Sequence, residues 1–384
     1  KSAHKALSSR LLITMPWGIG DAIHVGLSAV DQIIQNDPGG HVTIDVLCNH
    51  TQAPIFEHDP RIHELIVVDG VHFPTAAEGT WKRGIFLSPE TLQLATYLRC
   101  QHYTAVLPIF FGPSFFYQLR TPIMFLNVQE AWKVIAMLRS FQDMPLQRIV
   151  RYIINKNFGD RAPEPKVDEP IPLYLHPEHI HKARQYMVER KRQAGLSLDH
   201  SPWLLVAPDT SSDVTRPPTP LLAEGIAGAL KDNPNLCVEI LPGYTDTQAA
   251  CKLWHALAPQ FPDRIFRMPA EPQMPLLELA AFIDQSDIFL TGDTCTMHLA
   301  AASKTLSATN CTAMLPRNSA KIIALFGGTN PGLHGYSKRS TIIGKGRKEQ
   351  TAFAPGIAKE GYCANGKDLF DHVSSHQITS AILS

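Results

Sequence analysis

The stretch Thr291-Gly292-Asp293-Thr294-Cys295-Thr296-Met297-His298-Leu299-Ala300-Ala301-Ala302 combines a carboxylate, hydroxyls and an imidazole within about two helical turns. It follows the apolar run Asp287–Leu290, which reads as a buried strand, and it leads into an Ala-rich segment that reads as a helix. A turn placed there offers free backbone N–H groups and the positive end of a helix dipole to an anion. His298, about one turn in, can add a donor, so the stretch suits a diphosphate and the sugar attached to it. The alternative is structural: Asp293 or Thr294 caps the helix and His298 packs against a neighbour.

A second stretch lies near the N-terminus. The short apolar strand Leu11–Met15 runs into Pro16-Trp17-Gly18-Ile19-Gly20-Asp21-Ala22-Ile23-His24. This is a glycine-rich strand-to-helix turn without the dinucleotide fingerprint, because Ile23 stands where the third glycine is expected. A carboxylate at its mouth repels a pyrophosphate, so Asp21 reads as a base aimed into a cleft. Its other reading is a helix N-cap.

Gly20–His24, the Gly292–Ala301 stretch and Ala324-Leu325-Phe326-Gly327-Gly328-Thr329-Asn330-Pro331-Gly332-Leu333-His334-Gly335 together resemble successive signatures of glycosyltransferase family 9, the ADP-heptose:lipopolysaccharide heptosyltransferases and their relatives. The three motifs occur in the family's order and span nearly the whole chain. The resemblance implies the GT-B arrangement, an α/β fold with two Rossmann-like domains facing each other across a cleft. It also implies inverting, metal-independent transfer of a heptose from ADP-heptose, with Asp21 as the base and no cofactor. The expected acceptor is a lipopolysaccharide inner-core sugar. The other readings are transfer of a heptose or another sugar to a protein or small metabolite, and a non-catalytic sugar-nucleotide binder.

The elements that must position these groups alternate in two runs. Leu11–Met15, Val42–Leu47, Leu65–Val68 and Ala105–Phe110 read as strands, with Val25–Gln35 and Pro89–Arg99 as helices. Pro, Glu and Asp crowd Ala162–Pro172, the best linker candidate. A helix over Pro177–Gln193 follows, then strands at Trp203–Ala207, Cys237–Leu241, Ile265–Met268, Asp287–Leu290 and Ile322–Phe326. A chain of 384 residues suits two domains. They are read as an acceptor-binding domain over 1–175 and a donor-binding domain over 176–384, with the C-terminal helix packing back on the first.

In the donor domain, the resemblance places Ser211 and Ser212 as hydroxyl donors and Arg216 where the family usually has Lys. Arg keeps the charge and adds a bidentate fork for phosphate. Pro217-Pro218 replaces the family's Trp-Pro. Met274 matches a position bordering the adenine, with an ordinary core methionine as the alternative. Asp246 is the candidate for the ribose hydroxyls, with Gln248 fitting the spacing about as well. Asp293, Thr294, Cys295 and His298 complete the donor set. For an anionic acceptor the candidates are His24, Lys82, Arg83 and Arg120. Lys304–Ala320 reads as an extra loop near the donor site, and Cys363 is what remains of the Cys-rich tail found in some relatives.

Lys+Arg and Asp+Glu balance at 35 each, which argues against a nucleic-acid partner. The basic run Arg190-Lys191-Arg192 reads as a solvated face. Seven scattered cysteines, with no C-x-x-C pair, argue against a disulfide framework and a zinc site and for a reducing compartment. No signal-peptide pattern precedes the first strand. The most apolar stretch, Ala105–Val128, is broken by Gly112, Pro113, Arg120 and Pro122, which suits a buried strand and loop better than a membrane span. The expected location is the cytoplasm, with peripheral contact at the inner face of the membrane as the lesser reading.

Overall fold

The structure is a computed structural model. It describes residues 9–15, 18–68, 89–108, 154, 171–195, 201–210, 215–243, 247–307, 320–327, 329, 331, 335–336, 339–344 and 369–384. The chain divides into two compact units. Described residues up to Pro108, with Ile154, belong to the first, and those from Ile171 onward to the second.

The first unit is built on β1 (Ser9–Met15), β2 (Val42–Cys48), β3 (Ile62–Val67) and β4 (Ala105–Pro108), all parallel, in the order β3-β2-β1-β4. The helical run α1 follows β1. It comprises Ile19–Asp21, a π-helical turn over Ala22–Leu27, and Ser28–Asn36. Every residue of the π turn is buried, and such turns recur where a helix must re-aim side chains. Two further helices, α2 (Ala53–Glu57) and α3 (Pro89–Cys100), complete the described part.

A charged network centred on the buried Asp45 lies on this sheet. Arg10 Nε donates to Asp45 at 2.7 Å, Nη2 to Glu64 at 2.6 Å and Nη1 to Gln101 at 3.0 Å. Tyr103 Oη donates to Asp45 at 2.8 Å, and His63 Nδ1 lies 3.0 Å from its other oxygen. Asp45 has no solvent exposure, so only this full set of partners makes the charge tolerable. Burial and the neighbouring Asp45 push the Tyr103 phenol up. Ligand atoms of Asp45, His63 and Glu64 lie within 4.8 Å of one another, as a metal would need, but the Arg10 guanidinium already supplies the cation.

The second unit has a six-stranded parallel sheet. Its strands are β6 (Trp203–Ala207), β7 (Cys237–Ile240), β8 (Ile265–Arg267), β9 (Ile288–Gly292), β11 (Lys321–Leu325) and β12 (Ser340–Ile343), ordered β8-β7-β6-β9-β11-β12. β6 and β9 are buried along their whole length, as central strands covered on both faces must be. Asp287 ties them, its carboxylate accepting from Trp203 N at 2.8 Å. A separate parallel pair joins β5 (Pro172–Leu175) to β10 (Ser303–Leu306). The helices are α4 (Pro177–Gln193), α5 (Thr219–Asp232), α6 (Gln248–Leu257), α7 (Leu276–Gln285), α8 (Cys295–Ala301) and α9 (Ser375–Leu383).

Four expectations change here. Pro172–Leu175 belongs to the second unit rather than the end of the first, because its backbone pairs with β10. The extra loop expected from Lys304 begins instead with a strand, and residues 308–319 lie outside the described residues. Lys304 itself is buried, donates to Ala300 O at 2.8 Å at the end of α8, and is pushed down to about 8 by burial.

The C-terminal helix packs within the second unit. Ile378 of α9 is buried in the core shared with α5, and Thr379 Oγ1 donates to Gly225 O at 2.8 Å. In the basic run at the end of α4, Arg192 is exposed as read, but Arg190 and Lys191 are not solvated. Arg190 pairs with the buried Glu239 at 3.1 Å, and Lys191 is buried and donates to Ser201 O at 3.1 Å. Burial raises the Glu239 carboxyl, against the pull of Arg190 and the Tyr186 hydroxyl.

Candidate functional site

Loops that follow the strands of a parallel sheet all leave by the same edge. A ligand in such a sheet is expected where the strand order reverses. In the second unit, counting strands from β6, the order is 3-2-1-4-5-6, with the reversal between β6 and β9. These two strands are paired, and Ala207 at the end of β6 lies opposite Thr291 in β9. Arg216 stands on the loop after β6, and Asp293, Thr294, Cys295 and His298 stand on the turn and helix after β9.

The two loops touch. A Cβ on Gly292 would come within 2.7 Å of Thr215 O and 3.1 Å of Pro217 Cδ, so the close approach requires glycine. Pro217, which stands where the family has Trp, thus lies against the turn, and Pro218 occupies the residue before α5. The loop is braced from inside. Arg216 Nη2 donates to the buried Thr210 O at 2.9 Å, and the Asp209 carboxylate accepts from Ala249 N and Ala250 N of α6 at 3.2 and 3.1 Å. Sequence reasoning missed Asp209. Its partners lie some forty residues on, beyond the reach of spacing arguments.

At the turn, Thr294 takes the cap position with extended backbone, but its hydroxyl makes no capping bond. Thr291 and Thr296 hydroxyls lie 3.2 Å apart. Cys295 is half-buried, and burial pushes its thiol up. His298 is buried, and its Nδ1 lies 2.7 Å from the Tyr336 hydroxyl, with the rings edge-to-face at 5.6 Å. Its packing against a neighbour therefore holds alongside its place behind the turn. Met274 is half-buried in the extended segment between β8 and α7, on the same edge of the sheet, rather than in the core.

The first sheet repeats the logic. Its order reverses between β1 and β4, and the Gly18–Asp21 turn follows β1. Gly18 takes the cap position, so Asp21 is the third helical residue and not the N-cap. Its carboxylate lies back toward the start of the helix, with Oδ2 3.8 Å from where a Cβ on Gly18 would stand. His24, expected at the acceptor, is only 2 % exposed on the π turn. Lys82, Arg83, Arg120, Ser211, Ser212 and Asp246 lie outside the described residues.

No family model matches the sequence, and no curated protein is significantly similar to it. Solved structures are similar over their full length. The glycosyl transferase family 9 structure from Veillonella parvula matches with a TM-score of 0.67 at 15 % identity, covering 98 % of this chain and 96 % of its own. E. coli ADP-heptose lps heptosyltransferase II follows with a TM-score of 0.60 at 16 % identity, covering 98 % and 97 %. E. coli heptosyltransferase WaaC, solved with ADP, has a TM-score of 0.55 at 16 % identity, covering 97 % and 99 %. The chain has the family 9 glycosyltransferase fold. Within that fold the reversal points of both sheets carry the residues singled out above, Asp21 in one unit and Arg216, Asp293 and His298 in the other.

Proposed function

We propose that this chain is a family 9 glycosyltransferase that transfers a heptose from ADP-heptose, with inversion and without a metal ion, to an acceptor hydroxyl. The observation that carries the reading is the contact at Gly292. It brings the loop bearing Arg216 against the turn bearing Asp293 and Thr294 at the reversal point of a Rossmann-ordered sheet. A guanidinium on a loop that touches a turn of hydroxyls, with an imidazole on the helix that follows, suits a sugar diphosphate.

In this reading Arg216 and His298 neutralise the charge that develops on the leaving diphosphate, where other enzymes use a divalent ion. Asp293 is an acceptor-only group and suits the hydroxyls of the transferred sugar better than a phosphate. Asp21 takes the proton of the acceptor hydroxyl as its oxygen bonds to the anomeric carbon and the bond to the diphosphate breaks, releasing ADP. General-base help of this kind is worth roughly 10²–10⁴-fold. Met274 borders the adenine. The acceptor is a lipopolysaccharide inner-core sugar, which places the reaction in the cytoplasm at the inner face of the membrane. Among the described residues no helix is long and apolar enough to cross a membrane.

A panel of nucleotide sugars tests the reading, each scored for slow hydrolysis and for transfer to glycan, peptide and small-molecule acceptors, with and without excess chelator. ADP-heptose is expected to be the best donor, with activity unchanged by chelator. Full loss with chelator, or a preference for a UDP-sugar, points to a different transferase on the same fold. Binding without any turnover points to a sugar-nucleotide binder.

A further inference from the structure

Tyr336 lies against the helix that follows the donor turn, and the reading above gives it no role. Its carbonyl accepts from Arg339 N, Ser340 N and Ser340 Oγ at 2.9, 2.8 and 2.9 Å, which fixes its backbone at the start of β12. The residue before it is as constrained. A Cβ on Gly335 would stand 2.5 Å from Pro331 O and 2.8 Å from Ile342 Cδ1. The Tyr336 ring packs on the buried cluster of Met297, Ala324 and Phe326, and its hydroxyl meets His298 Nδ1 at 2.7 Å. Both ends of the side chain are thus set by the fold. The short contact joins the β11–β12 connection to the helix behind the donor turn.

We propose that Tyr336 is a positioning residue that acts through His298 to present an imidazole N–H to the donor's diphosphate; this rests on the donor-site reading above. A phenol is protonated at any physiological pH and can donate or accept. In the arrangement proposed, the neutral imidazole accepts from the Tyr336 hydroxyl at Nδ1 and the ring proton resides on Nε2; the opposite tautomer, with Nδ1–H donating to the Tyr336 oxygen, contradicts it. When the imidazole is charged, Nδ1–H donates to the Tyr336 oxygen and Nε2 again carries a proton. In both states Nε2 is a donor, as an anion requires, and the ring is held at one orientation. The arrangement parallels the outer-shell partners that fix the tautomer of functional histidines elsewhere.

The test is Tyr336→Phe in the full chain, which keeps the packed ring and deletes only the hydroxyl. Two readouts are needed. The imidazole nitrogen resonances of His298, assigned with a His298→Gln variant, report the tautomer without any ligand. Titration with ADP reports the diphosphate site. The native chain is expected to hold His298 as the Nε2–H tautomer. The variant is expected to show a mixture of tautomers and to bind ADP roughly three- to tenfold more weakly, the worth of a neutral hydrogen bond.

An unchanged tautomer in the variant overturns the proposal whatever ADP does. A changed tautomer with ADP affinity within twofold also overturns it, and here Arg216→Ala separates the causes. If that variant weakens ADP, the donor site stands and only the role of Tyr336 falls. If neither variant weakens ADP, the donor-site reading falls and takes the proposal with it.

Discussion

The Asp21→Asn variant is expected to turn over at least ~100-fold more slowly than the native chain, with ADP affinity within about twofold. Asn keeps the shape of the side chain and removes the proton acceptor. Asp21 is the third helical residue, Gly18 holds the cap position, and the following Ala22 N–H is satisfied by Gly18 O at 3.1 Å. Helical content measured by circular dichroism separates lost chemistry from a frayed turn. A single-turnover assay with saturating donor separates the chemical step from binding. Near-normal turnover by the Asn variant removes Asp21 from the mechanism.

The largest effect on stability is expected at Asp45. Asp45→Ala leaves the Arg10 guanidinium and the Tyr103 hydroxyl, both held in place by the first sheet, without the carboxylate they share. Removing one member of a buried ion pair costs about 3–5 kcal/mol. The Arg10 side chain is 25 % exposed and keeps Glu64 at 2.6 Å, so the lower end, about 3 kcal/mol, is expected. Urea unfolding followed by a probe in the first unit measures it. A loss under ~1 kcal/mol shows that the network is a solvated surface pair in effect. The double variant Arg10→Met, Asp45→Leu is expected to recover much of the loss, because a matched apolar pair leaves no orphaned charge.

How much of this could be read in advance depended on how local the signal was. Trp203–Ala207 is apolar throughout because the strand is covered on both faces, and its bounds in the structure are those read from the sequence. Pro177–Gln193 is framed by a proline in its first turn and basic residues in its last, and it too is found as read. The strands Pro172–Leu175 and Ser303–Leu306 were not legible. Each is four residues long, one opens on proline and the other on Ser-Lys, and they are stabilised by pairing across well over a hundred residues. Arg190 and Lys191 misled for the same reason, since nothing nearby in the chain announces Glu239 or the Ser201 carbonyl.

The site divides in the same way. The Gly-Asp-Thr turn and the Gly-x-Gly-Asp turn were visible because strand-to-helix turns leave a local mark in glycine and in short polar residues. The 3-2-1-4-5-6 strand order, the brace from Asp209 to α6 and the Tyr336–His298 bond are tertiary facts. Tyr336 had one pointer, its place directly after Gly335 in a motif already singled out.

Calorimetric titration of the native chain and its Arg216 variants with ADP, UDP and GDP, in excess chelator, tests the central claim most directly. It asks whether the loops meeting at Gly292 hold the diphosphate of an adenine nucleotide without a metal. ADP is expected to bind more tightly than UDP or GDP. Arg216→Ala is expected to weaken ADP by roughly 1.5–3 kcal/mol, the worth of a hydrogen bond to a charged group. Arg216→Lys, which keeps the charge and loses the fork, should fall between the two. An unchanged dissociation constant in Arg216→Ala, or tighter binding of UDP than ADP, contradicts the account.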